Sequence, residues 1–395
     1  MKKHIAVINI PAYGHVNPTL AVVRELVNRG HRVTYVTTEE FVPAIEAAGA
    51  TPLLYRSAFA EGPHPKQSQK SDPFIRLLLT FLEEMKVVLP QLEELYQNDK
   101  PDLMLHDYLA WSAKVFAIKW GIPSIQLHPT FVENEHFSMD KQFTKVHPFH
   151  PAILTFMVRL MLFLRKQKVK ELTVGTFFAN AAKKHIAFFP RAFQYAGDTF
   201  DERFVFAGPC LSERHFQGSW QPPADDRPVL LIALGTASQA GIDFYRMCIE
   251  AFAHSPWHVV MAIGNKTDPS LLGTLPSNVE VHARVPQLAI LPHCNAFISH
   301  GGMNSTMEAM YYGVPLVVIP QTKEQEAIAR RVHELGVGRF LPQDHLSIET
   351  LREAVQHAAH DEELFTRVTD MQQKVREAGG AVTAAQAIEA CLRDS

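Results

Sequence analysis

The segment around two consecutive glycines has the composition of an anion-binding turn. Residues 296–299 have the pattern of a buried strand, Gly301 and Gly302 follow as a turn, and a helix is predicted from Met303 to Tyr312. A helix that begins at the carboxyl end of a strand presents unpaired backbone N–H groups and about half a positive charge. Because glycines let an anion approach the backbone closely, the pattern predicts a place for a diphosphate.

Polar side chains around this turn could add contacts to a bound nucleotide. His300, Asn304 and Ser305 offer hydrogen-bond donors to the anion. Glu308, one helical turn after Ser305, could accept hydrogen bonds from two ribose hydroxyls. In a Gly-Gly turn alone, His300 and Asn304 would be ordinary turn and capping residues. Four polar roles in one short segment favour a nucleotide site instead.

A second candidate group follows the first predicted strand, Ile5–Ile10. His15 is expected in the loop at the carboxyl end of that strand, and Pro18 suits the first turn of the next helix. Asp107 follows another predicted strand, Leu103–Leu105. A histidine whose pKa is ordinarily near 6.5 can act as a base, and a carboxylate can fix its tautomer and stabilise the imidazolium. Taken singly, a loop histidine is usually solvated and such an aspartate usually caps a helix, but together they predict a catalytic dyad.

The stretch from Arg284 to Val332 reads Arg-Val-Pro-Gln, then Phe-Ile-Ser-His-Gly-Gly-Met-Asn-Ser-Thr-Met-Glu-Ala, then Gly-Val-Pro-Leu-Val-Val-Ile-Pro-Gln and Glu-Gln-Glu. It resembles the nucleotide-sugar signature of the UDP-dependent glycosyltransferase superfamily, especially its bacterial macrolide and flavonoid branch. The resemblance spans nearly the whole chain. It implies the α/β GT-B fold, in which two Rossmann-like βαβ domains face each other across a cleft. The N-terminal half would bind the acceptor and the C-terminal half the UDP-sugar.

The resemblance also assigns site residues, and it matches the dyad of His15 and Asp107. The positions that it gives to the UDP-sugar are Thr236, Arg284, Val285, Gln287, His300, Gly302, Asn304, Ser305, Glu308, Glu324 and Gln325. Among these, Gln287 would contact the uridine and Glu308 the ribose. The diphosphate would lie against Thr236, His300, Asn304 and Ser305, and the sugar hydroxyls against Glu324 and Gln325.

One position departs from the family pattern. The family often has a tryptophan, whose ring stacks on the uracil, where this chain has Arg284. A guanidinium can also stack on a π-face, so the role could persist with altered strength. The alternative is that Arg284 is an exposed surface residue. The site is therefore expected to be less selective for the base than for the sugar diphosphate.

The elements that must position these groups alternate between short apolar strands and helical stretches, which indicates βαβ units and parallel sheets. The remaining predicted strands are Val33–Thr37, Ser124–Leu127, Val229–Leu234, Val259–Ile263, Val279–His282, Ala296–Ser299 and Leu316–Ile319. A helix with an apolar face is predicted over Leu20–Arg29 and ends at Gly30.

A chain of 395 residues exceeds what one core usually holds, so two domains are expected. The segment from Gly208 to Pro228 is rich in Gly, Pro, Ser and Asp. The predicted division is an N-terminal domain over 1–208, a linker over 209–227, and a C-terminal domain over 228–380. A helix over 381–395 is expected to pack back on the N-terminal domain.

Composition narrows the possible partners and the compartment. The net charge of −3, without a basic stripe, argues against nucleic acid as a partner. Four scattered cysteines form no metal or disulfide pattern and favour the cytoplasm. The opening apolar run breaks at Asn9 and Pro11, unlike a signal peptide. Ala152–Leu164, interrupted by Arg159, is shorter than the ~20 residues that span a membrane, so an amphipathic helix is expected there.

The combined prediction is an inverting, metal-independent glycosyltransferase that needs no cofactor and acts as a monomer. It would move a hexose, expected to be glucose from UDP-glucose, to a hydroxyl of a small apolar acceptor such as a flavonoid, another phenolic or a macrolide. The acceptor site is expected in the aromatic-rich stretches 59–82 and 131–163. The alternatives are a nucleotide-sugar epimerase or hydrolase on the same fold, and a non-catalytic two-lobed binding protein.

Overall fold

The chain divides into two α/β units. The computed structural model describes residues 2–61, 73–139, 151–178, 182–212, 218–235 and 241–393. Unit 1 comprises Met1–Phe188, Asp198–Cys210 and Gly380–Ser395, and unit 2 comprises Phe189–Gly197 and Leu211–Gly379.

Unit 1 is built on a parallel sheet that has seven strands among the described residues. These are β1 (His4–Ile8), β2 (Arg32–Thr37), β3 (Thr51–Leu54), β4 (Leu103–Asp107), β5 (Ser124–His128), β6 (Lys184–Ala187) and β7 (Phe204–Phe206). Their order is β3-β2-β1-β4-β5-β6-β7. The direction of winding therefore reverses between β1 and β4, which is where ligands bind in open parallel sheets.

Helices cover both faces of this sheet. They are α1 (Tyr13–Asn28), α2 (Val42–Ala47), α3 (Pro73–Tyr96), α4 (Trp111–Lys119), α5 (Pro151–Lys166) and α6 (Val174–Phe177). Because both faces are covered, every residue of β1 is buried. Ile5 and Val7 pack in the core beneath α1, whereas Ala6 and Ile8 pack in the core beneath α3 and α4.

Unit 2 repeats the plan with a parallel sheet of six strands in the described part of the chain. Its strands are β8 (Val229–Ala233), β9 (His258–Ala262), β10 (Val279–His282), β11 (Cys294–Ser299), β12 (Leu316–Val318) and β13 (Gly338–Phe340). Its helices are α7 (Ile242–Phe252), α8 (Gln287–Ile290), α9 (Met303–Tyr312), α10 (Lys323–Glu334), α11 (Ile348–His360) and α12 (Glu362–Glu377). The order β10-β9-β8-β11-β12-β13 puts the reversal between β8 and β11.

The segment Phe189–Gly197 belongs to unit 2, although the sequence pattern assigned 1–208 to the first domain. The guanidinium of Arg331 in α10 donates to the carbonyls of Ala192, Phe193 and Gln194 at 3.0–3.2 Å. The donor, Arg331, is far from this segment in the sequence. The local sequence therefore does not predict these bonds.

The last helix, α13 (Gly380–Arg393), belongs to unit 1. Ala384, Ala385 and Ile388 of α13 are buried in the same core as α1. At the rim, Glu389 accepts a hydrogen bond of 3.0 Å from the guanidinium of Arg29. This helix therefore completes the α1 face of unit 1.

Helix α1 begins earlier than the sequence indicated, and this moves His15. The carbonyl of Ala12 accepts hydrogen bonds from the N–H groups of His15 and Val16, at 2.9 and 3.0 Å. His15 thus lies in the first turn of α1, and the prediction of a loop position is wrong. Pro18 lies inside the helix rather than in its first turn.

Candidate active site

His15 and Asp107 meet at the switch point of the unit 1 sheet. β1 and β4 are adjacent, with Ile8 opposite His106, so the start of α1 and the end of β4 lie side by side. His15 Nδ1 is 2.6 Å from Asp107 Oδ2. The carboxylate is buried, whereas the imidazole is partly exposed.

The surroundings of this pair fix its geometry. The second oxygen of Asp107, Oδ1, accepts the backbone N–H of Leu109 at 2.7 Å. The ring of Tyr108 stacks on the His15 ring at 6.2 Å between centroids. Because the carboxylate favours a proton on Nδ1, the basic nitrogen of the neutral imidazole is Nε2. The arrangement can accept a proton at Nε2 and stabilise the resulting charge.

Asn9 also holds His15, and sequence reasoning missed it. Its side-chain amide donates to the carbonyl of His15 and to the hydroxyl of Tyr35, both at 2.8 Å. The Tyr35 hydroxyl lies 2.8 Å from that of Thr19. Burial raises the pKa of Tyr35, so its hydroxyl stays neutral. A polar residue directly after a buried strand was the available signal.

The second candidate group lies at the switch point of unit 2. β8 and β11 are adjacent, with Ala233 opposite Ser299, and α9 begins just after β11. Gly302 is the N-cap of α9, and no side chain in the described part of the chain caps this helix. By contrast, the Thr322 hydroxyl caps α10. The first turn of α9 therefore presents N–H groups to an anion.

The imidazole of His300 fills the space between two glycine backbones. A Cβ on Gly235 would lie 2.7 Å from His300 Nε2, and a Cβ on Gly302 would lie 2.5 Å from the same atom. Burial lowers the pKa of His300 to about 4, although a hydrogen bond to the Ala233 backbone opposes this effect. His300 is therefore neutral near pH 7. It can act on an anion as a hydrogen-bonding group rather than as a fixed cation.

Three of the predicted nucleotide contacts are bonded to one another. Gln287 Nε2 donates to Glu308 Oε2 at 2.6 Å and to Ser305 Oγ at 3.2 Å. Gln287 is the first residue of α8, and its N–H donates to the carbonyl of Val285 at 2.9 Å. Glu308 is buried on α9. A polar cluster thus joins α8 to α9 next to the open turn.

Two other predicted positions, Glu324 and Gln325, lie on α10 and outside this polar cluster. Gln325 Oε1 accepts the N–H of Gln321 at 2.8 Å, and the Gln325 carbonyl would lie 3.2 Å from a Cβ on Gly301. The first turn of α10 is therefore next to the glycine turn, with Glu324 exposed beside it.

Three predicted positions remain, Arg284, Thr236 and Asn304. Arg284 is exposed, and with the Asn265 amide oxygen turned toward it, the guanidinium donates at 3.2–3.3 Å. Thr236 lies outside the described residues. Asn304 is partly buried in the first turn of α9.

The described residues contain neither a metal-binding cluster nor a membrane-spanning helix. They hold no group of three or more His, Cys, Asp or Glu side chains placed to bind a metal ion. Within the same ranges, no helix is both long enough and apolar enough to cross a membrane.

Comparisons with known proteins identify the family of this chain. Residues 247–387 match the family described as erythromycin biosynthesis protein CIII-like, C-terminal domain. NDP-glycosyltransferase YjiC of Bacillus subtilis (strain 168) is 46% identical over 396 residues, covering 100% of this chain and 99% of that protein. Oleandomycin glycosyltransferase of Streptomyces antibioticus is 36% identical, covering 98% of this chain and 91% of that protein.

A solved structure extends the likeness to the fold. The calicheamicin glycosyltransferase CalG4 superposes with a TM-score of 0.88 at 38% identity, covering 99% of this chain and 98% of that one. These matches run through both units, with a parallel sheet in each. The chain therefore belongs to the family of bacterial GT-B glycosyltransferases that includes YjiC and oleandomycin glycosyltransferase.

Proposed function

We propose that this glycosyltransferase moves glucose from UDP-glucose to a hydroxyl of a small apolar acceptor, with inversion and without a metal. The observation that carries the proposal is the contact of 2.6 Å between His15 Nδ1 and Asp107 Oδ2 at the switch point of unit 1. A paired histidine at such a point is suited to activating a hydroxyl.

The proposed reaction uses His15 as the general base. Nε2 takes the proton of the acceptor hydroxyl while that oxygen forms a bond to the anomeric carbon. The bond between this carbon and the UDP oxygen breaks on the opposite side, so an α-linked donor gives a β-glycoside. Asp107 stabilises the imidazolium. General-base catalysis supplies about 10²–10⁴-fold, so stabilisation of the leaving diphosphate must supply a large further share.

Unit 2 would hold the donor. We assign the diphosphate to the open turn of α9 together with His300, Asn304 and Ser305, and a further contact to Thr236. We assign the ribose to Glu308, because its buried carboxylate is oriented by a hydrogen bond that it accepts from Gln287. Two Bacillus subtilis relatives bear the name uncharacterized UDP-glucosyltransferase, which supports this donor.

The proposed sugar and base contacts complete the donor site. Glu324 and Gln325 would bind the sugar hydroxyls, because the first turn of α10 lies next to Gly301. Arg284 would stack on the base, with Val285 and Gln287 beside the uridine.

The acceptor is assigned from apolar side chains in unit 1. Apolar side chains gather at the carboxyl ends of β1 and β4, among them Ile8, Ile10, Phe81 and Trp111. The Trp111 ring contacts that of Phe81 at 5.4 Å. These residues favour a flat phenolic or a macrolide, although a methylene changes discrimination by only ~1–3 kcal/mol. Residues 62–72 and 140–150 of the predicted acceptor stretches lie outside the described residues.

One experiment tests the reaction directly. The protein is incubated with UDP-glucose, UDP-galactose or UDP-GlcNAc, with and without a phenolic or macrolide acceptor, in EDTA and in magnesium. Mass spectrometry is expected to detect a hexosylated acceptor in EDTA, and NMR a β linkage. Conversion of UDP-glucose without an acceptor would favour the hydrolase or epimerase alternative. Complete loss of transfer in EDTA, restored by magnesium, would contradict metal independence.

Two further assignments accompany this proposal. Cys210, Cys248 and Cys294 are free thiols, which supports the cytoplasm as the compartment. We also propose that the enzyme acts as a monomer, because unit 1 and unit 2 each contain their own candidate groups.

A further inference from the structure

Helix α5 exposes an apolar face. The side chains of Leu154, Met157, Val158 and Leu162 are between 40% and 57% exposed. Phe156, Leu160 and Leu164 of the same helix are buried in the unit 1 core beside α3 and α4. Because α5 packs with one face and shows a second apolar face to solvent, core formation does not explain the exposed residues.

The same stretch carries a local excess of positive charge. Residues 151–171 contain five Arg and Lys residues and a single acidic residue, Glu171, although the whole chain has a net charge of −3. Helix α5 ends at Lys166, and Lys168 adopts a left-handed conformation with φ 58°. The N–H of Val169 then bonds back to the carbonyl of Leu164 at 3.4 Å, so the chain turns back beside the helix end.

This turn creates a groove with an apolar floor and a cationic rim. The groove has a volume of about 740 Å³. Its walls include Met161, Leu164 and Leu172, and its rim includes Arg165, Lys168 and Lys170. The exposed side chains on the preceding turns of α5 lead toward this groove. The surface thus combines apolar area with unbalanced positive charge.

We propose that α5 and this groove bind the surface of an anionic lipid bilayer. A helix with exposed apolar side chains and flanking cations lies in the interfacial plane, with its apolar face among the acyl chains and its cations at the phosphates. A helix of 16 residues is shorter than the ~20 needed to span a membrane, so the contact is peripheral.

The positive charge of this surface favours an anionic bilayer over a second copy of the chain or a protein partner. A second copy of the chain would bring the same cations to the interface, where they would repel one another. A protein partner would need an apolar surface rimmed by acidic groups, whereas an anionic bilayer presents both features everywhere. The proposal does not depend on the reaction proposed above, but a peripheral contact would bring the enzyme to apolar acceptors dissolved in the membrane.

Vesicle flotation of the full chain tests the proposal. The wild-type protein is expected to float with phosphatidylglycerol vesicles at low salt, but not with phosphatidylcholine vesicles. The variant Arg165→Gln/Lys168→Gln/Lys170→Gln is expected to lower the partition coefficient about 100-fold, because each cation near such a surface contributes about fivefold. The matched control, Lys2→Gln/Lys100→Gln/Lys374→Gln, removes three exposed cations elsewhere and should bind like wild type.

A second pair of variants tests the apolar face. Leu154→Gln/Leu162→Gln is expected to abolish flotation, whereas Leu271→Gln/Phe365→Gln, which changes exposed apolar residues in unit 2, should leave it unchanged. Circular dichroism and thermal melting verify that each variant is folded. Equal binding to neutral vesicles, or a groove triple variant that floats like wild type, would overturn the proposal. So would a wild-type protein that does not float but forms a dimer disrupted by Leu154→Gln/Leu162→Gln, because the face would then belong to a second copy.

Discussion

His15 is held at two points. Asp107 contacts Nδ1 of its ring, and the Asn9 amide donates a hydrogen bond to its backbone carbonyl. If His15 is the base, His15→Ala should lower transfer at least about 100-fold, since general-base catalysis supplies that much. UDP affinity should stay near the wild-type value, because the proposed donor residues belong to unit 2. Initial rates and calorimetry with UDP measure the two effects. Turnover like that of wild type would remove His15 from the mechanism.

The pH dependence of transfer tests the partnership with Asp107. Protonated His15 cannot accept a proton, so activity should decline as the pH falls through the titration of this imidazole. Asp107→Asn should reduce the plateau rate less than His15→Ala does. Its acid limb should move to lower pH, because an amide no longer favours the imidazolium. Circular dichroism at each pH excludes unfolding, and an unshifted acid limb would mean that Asp107 only supports the local structure.

The donor contacts can be separated by comparing UDP with UDP-glucose. Glu308→Ala should weaken both ligands about 10- to 100-fold, as expected for lost hydrogen bonds to a charged group. Gln325→Ala should weaken UDP-glucose more than UDP, because its proposed partner is the sugar. Gln343→Ala is the matched control, since Gln343 donates to the carbonyl of Pro320 in the loop before α10. Equal losses for both ligands in the Gln325 variant would contradict its assignment.

At the residue scale, the sequence predicted which residues form the candidate sites better than it predicted their protonation states and local contacts. His15 and Asp107 were predicted as a pair and are in contact. Gln287, Ser305 and Glu308 were assigned to separate parts of the nucleotide, and Gln287 contacts both of the other two. The neutrality of His300 depends on burial between β8 and α9, which no local pattern reports. The Asn9 contact depends on where α1 begins, so it could not be predicted either.

At the scale of elements, the glycine turn before α9 can be tested by comparing Gly302 with Gly241, which precedes α7. Gly302 and Gly241 are both helix N-caps with ordinary negative φ values. A Cβ at 302 would lie 2.5 Å from His300 Nε2, whereas a Cβ at 241 would meet nothing within 4 Å. Gly302→Ala should therefore displace His300 and weaken UDP binding by about tenfold, the equivalent of one charge-assisted hydrogen bond. Gly241→Ala should bind UDP like wild type, and equal affinities for both variants would argue against a diphosphate at this turn.

The strands that carry the candidate groups were predicted to within one or two residues because both sheet faces are covered, which makes each strand a continuous apolar run. Four strands were missed: β3, β6, β7 and β13. β3 contains Pro52 and is at the sheet edge, where proline is tolerated. β7 and β13 have only three residues each, too few for a periodic signal.

At the scale of the whole molecule, α13 ties the last part of the described chain into unit 1. Ile388 is fully buried in the core of α1, whereas Val382 of the same helix is 47% exposed. Ile388→Ala should lower the free energy of unfolding by about 2–5 kcal/mol, as for other buried large-to-small changes. Val382→Ala should change it by less than about 0.5 kcal/mol. Urea unfolding followed by tryptophan fluorescence measures both values, and similar effects would mean that α13 adds little to unit 1.

The place of α13 in the chain also sets the order in which the protein can mature on the ribosome. The whole of Leu211–Gly379 is translated after most of unit 1 and before the helix that completes it. Until then, the core positions that Ala384, Ala385 and Ile388 will cover remain open on the nascent chain. The more C-terminal unit can therefore close first, and the N-terminal one waits for a helix encoded far downstream. A premature stop before α13 would release a polypeptide whose unit 1 leaves part of its apolar core exposed, and such a chain is a natural client for chaperones.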